Sequence, residues 1–152
     1  MKPFVFKLET LLNIRKKKED EANINLSKAR ARLIEARELL QSLYDKQRES
    51  WTEFRLKQQQ GEIFVTEFQE WYRFLNFLKD EIATQEQIVE MRRQEMLVAL
   101  KAAEEAMKNR KTVEKLKEKR LEQYRIEALQ EEQKMLDEIA IMRHHKQEGD
   151  EI

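Results

Sequence analysis

The chain holds no cysteine, one proline and two glycines among 152 residues. Without cysteine there are no disulfides and no thiolate chemistry, which fits a reducing compartment. So few glycines and prolines leave little turn chemistry, which argues against a globular fold of many short elements. Net charge is also missing: thirty Lys and Arg balance thirty Asp and Glu. A neutral chain has no global electrostatic attraction to nucleic acid or anionic lipid, so no nucleic-acid partner is expected. No window approaches about 20 apolar residues, so no direct membrane insertion is expected. The opening Met1 to Lys7 lacks the apolar core of a secretory signal. There is no glycine-rich phosphate loop, hence no sign of nucleotide hydrolysis. The two histidines, His144 and His145, are adjacent and point about 100° apart on a helix, away from the i,i+4 spacing of a metal site. Carboxylates are plentiful, but a helical rod has no pocket in which to shift their pKa values. The sequence therefore predicts no catalytic residue, no metal, no cofactor and no enzyme activity.

What the chain does have is charge, at 39% of residues, laid over a helical rhythm. Steps of three and four run unbroken through Leu8, Leu12, Arg15, Glu19, Ala22, Leu26, Ala29, Leu33, Ala36, Leu40, Leu43, Gln47, Ser50 and Phe54. Sustained over about six heptads, this is a coiled-coil seam. Leucines occupy one row and Ala22, Ala29 and Ala36 the other, so large side chains can nest against small ones. Pro3 fits just before or within a first helical turn, while Phe4, Phe6 and Leu8 alternate as an extended segment would. The first helix is placed at about 4–57, a rod of about 75 Å at 1.5 Å per residue.

Gly61 ends that helix as a C-cap candidate. Ile63 to Val65 reads as a connector, and the turn is placed at about 58–66. Thr66 with Gln69 has the spacing of a capping box, opening a second helix over about 67–146. Its stripe holds Phe68, Trp71, Leu75, Leu78, Ile82, Gln85, Val89, Arg92, Met96, Ala99, Ala103 and Ala106. Val113 and Leu116 lead to a later row, Leu121, Ala128, Met135 and Met142, offset by four residues, which is a stutter. The tail from about Gln147 is expected to fray. A short connection makes the helices antiparallel neighbours. Setting Phe54 against Phe68 brings Ala22 near Ala99, so the alanine-rich stretches meet. The fold class is thus all-α, one coiled-coil domain over 1–152 in which two long helices form an antiparallel hairpin. An intermolecular rod is the alternative, and it would not require the alanine segments to match.

Two features are left over by the hairpin. Near the turn, Phe74 and Phe77 are rotated about 80° and 140° from the stripe, with Leu39, Leu43, Tyr44 and Trp51 nearby on the first helix. Clustered exposed apolar surface marks a binding site. At the open end the second helix outlasts the first, so residues beyond about 118 should lack an internal partner. They nonetheless keep an apolar face of Leu121, Tyr124, Ala128, Met135, Ile139 and Met142. Arg15 to Lys18 and Lys108 to Arg120 make this end rich in basic residues, interleaved with Glu114, Glu118 and Glu122. That mixture suits either a solvated helix with i,i+4 pairs or a dock for an acidic partner.

Several stretches stand in a recognisable order: Phe6-Lys7-Leu8-Glu9-Thr10-Leu11-Leu12 with Arg15-Lys16; Leu40 to Gln47; Gly61; Trp71-Tyr72-Arg73-Phe74-Leu75 with Leu78 and Ile82; Leu116 with Lys119-Arg120 and Tyr124; and Met135-Leu136-Asp137-Glu138 with Arg143. Together they resemble the FliJ family of the bacterial flagellar export apparatus. The resemblance implies a hairpin similar to the central stalk of rotary ATPases. It implies a cytoplasmic protein, peripheral to the inner face of the cell membrane, serving flagellum biogenesis, protein export and motility. It implies that the open end enters the hexameric flagellar export ATPase through Arg15, Lys16, Arg120, Tyr124, Met135 and Ile139. The region near the turn would contact the export gate cytoplasmic domain through Leu39, Leu43, Phe74 and Leu78, and export chaperones would be further partners. Lys46 and Ser50 stand where some relatives carry aromatic residues. Competing readings are the equivalent stalk of a virulence-type secretion system and a generic coiled-coil tether, which would be a stable homodimer without an ATPase partner. A nucleic-acid binder using the basic end is disfavoured by the interleaved acids.

Overall fold

A computed structural model describes residues 2–61 and 64–150. Two long helices, α1 over Glu9–Gln59 and α2 over Val65–Asp150, pack against each other as a hairpin. Every position of the α1 stripe from Leu8 to Phe54 is buried or half-buried, so the three-four rhythm does mark the packed face. The packing divides into two units: residues 19–105, containing the α1–α2 contacts nearer the turn, and residues 1–18 with 106–152.

In the 19–105 unit, Leu26, Ala29, Leu33, Ala36 and Phe54 of α1 are buried, as are Leu75, Leu78, Ile82 and Ala103 of α2. Two polar residues share this seam, Ser50 and Gln85. Gln85 donates from Nε2 to the Ala36 carbonyl at 3.0 Å. That bond satisfies a buried amide that would otherwise cost free energy. The Phe54 and Phe68 rings lie 5.7 Å apart. Carried equally along both helices, this register brings Ala22 level with Ala99, and both are half-buried.

In the other unit, Phe6, Leu12 and Val113 form a buried cluster, with Phe4, Leu8, Leu11 and Leu116 packed around it. Here α1 begins later than the expected residue 4. Residues 2–6 are non-helical, Lys7 and Leu8 form a turn, and Glu9 N–H bonds the Phe6 carbonyl at 3.1 Å. The extended segment explains a second difference. An extended chain advances about 3.3 Å per residue against 1.5 Å in a helix, so a few residues reach far along α2. Phe4 packs on Tyr124, ring centroids 5.5 Å apart, and the Tyr124 hydroxyl donates to the Lys2 carbonyl. Half-buried positions on α2 therefore continue through Leu121 and Tyr124 to Ala128, beyond the expected limit near 118. Along this stretch they fall at Ala106, Met107, Arg110, Glu114, Leu116, Lys117, Leu121, Tyr124 and Ala128, with Val113 buried among them.

The helix ends follow capping chemistry, with one correction. Gly61 has φ of 69°, the left-handed conformation of a C′ glycine. Its N–H bonds the Gln58 carbonyl at 3.3 Å, and Gln60 N–H bonds Leu56 at 3.1 Å. The connector expected at Ile63 lies outside the described residues. α2 starts earlier than the capping box predicts: Phe68 N–H bonds the Phe64 carbonyl at 3.0 Å, which makes Phe64 the N-cap residue. Thr66 thus sits inside the first turn, alongside Glu67, whose charge complements the helix N-terminus. At its far end α2 stays helical through Asp150, past the expected 146.

Candidate functional site

The surface near the turn is built by α1 and α2 of the 19–105 unit. Five aromatic rings form a chain of edge and tilted contacts: Trp51 with Phe54 at 5.9 Å, Phe54 with Phe68 and Trp71 at 5.7 and 6.0 Å, and Trp71 with Phe74 at 6.4 Å. A two-layer seam cannot enclose so many rings, so several remain in water. Phe64, Phe68, Phe77, Trp51 and Tyr72 are all exposed, as are Leu39 and Leu56. An open groove of about 500 Å³ runs beside Trp71 and Phe74, lined also by Ser50, Glu53, Lys57, Glu67 and Glu70.

The residues proposed for this surface divide unequally. Leu39 is 51% exposed and presents a free apolar side chain. Leu43 is half-buried. Phe74, read from its angle as exposed, is half-buried, because Trp71 packs on it and Lys46 Nζ lies 5.8 Å from its ring centroid. Leu78 is 1% exposed and belongs to the core. Its place on the α2 stripe points it at α1, so it offers no surface to a partner, and its assignment as a contact residue is corrected. Phe77, 58% exposed on the same helix, is the residue that the docking prediction omitted. Its angle from the stripe was the available signal. Lys46 and Lys57 were also missed; Lys57 Nζ lies 5.5 Å from the Trp71 ring centroid. Such cation–π contacts cover aromatic faces with a displaceable charge.

Polar pairs flank the seam of the same unit. Tyr44 donates its hydroxyl to Glu86, and this bond pushes the Tyr44 pKa above the usual phenol value, with the Glu86 charge adding to it. Glu90 accepts from Arg93 and from Gln94, which hold its carboxyl down at about 2. These pairs are open to solvent and act as surface pairs.

The second surface lies in the 1–18 and 106–152 unit. Arg15 Nη1 donates to the Asn109 carbonyl at 2.8 Å, and Lys117 Nζ sits 3.0 and 2.8 Å from the two oxygens of Glu9. The Arg120 guanidinium lies 5.7 Å from the Phe6 ring centroid. Arg15, Arg120 and Tyr124 therefore hold this unit together, whatever else they touch. Lys16 is exposed. Beyond Ala128 the character changes: every residue from 129 to 149 is exposed. Met135 at 59% and Ile139 at 44% lie on that stretch, with Leu129, Leu136 and Met142 equally open to water. His144 and His145 both approach Glu148, at 3.1 and 3.9 Å. Among the described residues no cluster of three metal-ligating side chains occurs, and no helix is long and apolar enough to cross a membrane.

The chemistry available to these surfaces is that of recognition: exposed rings, aliphatic side chains and mixed charge along helices. No curated protein matches the chain. A solved structure described as a YscO homologue, CT670, from Chlamydia trachomatis is 24% identical, covering 95% of this chain and 99% of that one, with a TM-score of 0.45. The family described as flagellar FliJ protein matches residues 4–149. That match spans nearly the whole sequence, and the chain belongs to the flagellar FliJ protein family.

Proposed function

We propose that the chain is a stalk and coupling protein of the flagellar type III export apparatus, acting without catalysis. It links the hexameric export ATPase to the cytoplasmic domain of the export gate and assists export chaperones, working at the inner face of the cell membrane. The observation that carries this reading is the bare stretch of α2. Residues 129–149 keep Leu129, Met135, Leu136, Ile139 and Met142 in water with no part of α1 beside them. An amphipathic helix of that length is marginal alone and is stabilised by docking. Membership of the flagellar FliJ protein family supports an export-apparatus component as the host, which we take to be the ATPase. Met135 and Ile139 make the contact, Lys16 adds charge at the same end, and Arg15, Arg120 and Tyr124 keep the base of the stem in place.

Near the turn, Leu39, Phe77 and the Phe74 edge meet the gate, while Leu43 and Leu78 support them from below. The decisive experiment mixes the purified chain with the flagellar export ATPase and images the products. The expected result is an increased fraction of ATPase hexamers, lost in an Ile139→Asp variant. No change in hexamer fraction on adding the intact chain would overturn the reading.

A further inference from the structure

The groove beside Trp71 and Phe74 holds polar groups that neither the hairpin nor the stalk reading uses. Ser50 lines it and is buried, at 8% exposure, yet its hydroxyl makes no hydrogen bond among the described residues. A buried hydroxyl left in that state costs free energy until a ligand meets it. Glu53, Glu67 and Glu70 also line the groove, and none forms an ion pair among the described residues. Trp71 and Phe74, both half-buried, present their rings to it. Each ring already carries a cation of this chain: Lys57 Nζ lies 5.5 Å from the Trp71 centroid, and Lys46 Nζ 5.8 Å from that of Phe74. Both lysines are exposed, so each is a placeholder that can swing away into water.

The charge around the groove is one-sided. Counting every charged residue of 46–57 and 64–81 at about 100° per residue, five acids and two lysines fall within about 90° of the groove direction. The acids are Glu49, Glu53, Glu67, Glu70 and Glu81, and the lysines are Lys46 and Lys57. Arg48, Arg55, Arg73, Lys79 and Asp80 fall on the opposite side of their helices. We propose that this groove takes an arginine side chain of a partner segment, its guanidinium seated against the Trp71 and Phe74 rings. The guanidinium donates to the unpaired carboxylates and to the Ser50 hydroxyl oxygen. Arginine fits better than lysine because its planar head covers a ring face while its N–H fork reaches carboxylates on either side. The proposal rests on the reading of the near-turn surface as the gate contact for the source of that arginine, and it names the group that the gate brings. Leu39 and Phe77, both exposed, lie on the same flank and would meet apolar neighbours of the arginine.

Nuclear magnetic resonance of the full chain, labelled with nitrogen-15, tests the groove directly. The probes are acetyl-Leu-Arg-Leu-amide and the same peptide with lysine or glutamate at its centre. The Trp71 indole signal is expected to move and saturate with the arginine peptide, while that of Trp51, on the other flank, moves far less. The lysine peptide should bind at least about threefold more weakly, and the glutamate peptide should give no saturable shift. Glu53→Gln with Glu70→Gln, both at exposed positions, should weaken the arginine peptide about tenfold with circular dichroism unchanged. Ser50→Ala should weaken it about threefold. An unmoved Trp71 signal, equal shifts from the arginine and glutamate peptides, or binding that survives the double glutamine variant overturns the groove. The purified gate cytoplasmic domain is then titrated against the wild-type and double glutamine chains, and the variant should bind about tenfold more weakly. A variant that loses the peptide but keeps full affinity for the gate domain refutes the gate as the source of the arginine and leaves the groove's chemistry standing.

Discussion

At the scale of single residues, the seam separates side chains that hold the helices together from those that set their register. Leu78 is almost fully enclosed, and removing most of it leaves a cavity. Leu78→Ala should cost about 2–5 kcal/mol in chemical denaturation, a loss that would mask any effect on partner binding. Gln85 behaves differently. Its bond to the Ala36 carbonyl satisfies an amide buried among leucines and alanines. The Ala36 carbonyl keeps its own helical bond, so Gln85→Leu replaces one polar contact by apolar volume. That variant should unfold within about 1 kcal/mol of wild type, whereas Gln85→Ala should lose about 1–2 kcal/mol. A large loss in the leucine variant would show that the hydrogen bond itself carries stability. The solvent-facing pairs make a pH prediction. Tyr44 donates to Glu86 only while protonated, and its folded pKa lies above the ordinary phenol value. Its contribution is therefore complete below that ordinary value and is lost as pH rises through the folded one. Glu90 is the opposite case. Its contribution is complete above the usual carboxylate range and disappears as pH falls through about 2. Ultraviolet titration of tyrosine absorbance should show one phenol titrating late, and Glu86→Ala, which removes both the acceptor and the charge, should return it towards the ordinary range.

At the scale of elements, the ends of the helices carry the information that the stripes do not. Gly61 sits at φ 69°, where a side chain is strained although nothing lies close enough to meet an added Cβ. Gly61→Ala should thus lower stability by about 1–2 kcal/mol through backbone conformation alone, read as a fall in melting temperature. Gly61→Asn, which tolerates this conformation better, should lose less. The α1 stripe was fully legible in the sequence, because a seam repeated over many turns leaves one face and one period, whereas Phe68 at the head of the α2 stripe and Met135 and Met142 at its far end are exposed. The first few residues were less so. Alternation at Phe4, Phe6 and Leu8 hinted at an extended run, but its reach depends on rise per residue, which periodicity does not encode. That reach shows at Tyr124 and Arg120, which the resemblance assigns to the ATPase and which also close on Lys2, Phe4 and Phe6. Leu78, which the resemblance places on the contact surface, lies on the stripe that faces α1, and the stripe gives its direction better than the resemblance does. Truncation after Ala128 should leave the melting temperature within about 2 °C, since no packed residue is lost, whereas truncation after Lys117 should lower it clearly by removing Arg120 and Tyr124.

At the scale of the molecule, the described buried residues fall into two packing units, each with its own contacts. Within each packing unit the buried residues meet across the seam between the helices, and the two candidate surfaces lie in different units. Substitutions far apart with no shared partner add to within about 0.5 kcal/mol. The two binding events should therefore be separable. Leu39→Ala with Phe77→Ala removes apolar side chains that are exposed in the hairpin. It should weaken binding to the gate domain about tenfold while changing ATPase binding by less than about threefold. Ile139→Asp should do the reverse. Titration calorimetry against each purified partner would read both effects on the same preparations. Equal losses on both partners from either variant would mean that α1 and α2 carry strain from one surface to the other, and the stalk would then be a conformational relay rather than a tether with two independent grips. Independent losses with export failing in both variants would instead place the coupling in simultaneous attachment, which needs only that each end hold while the other is bound.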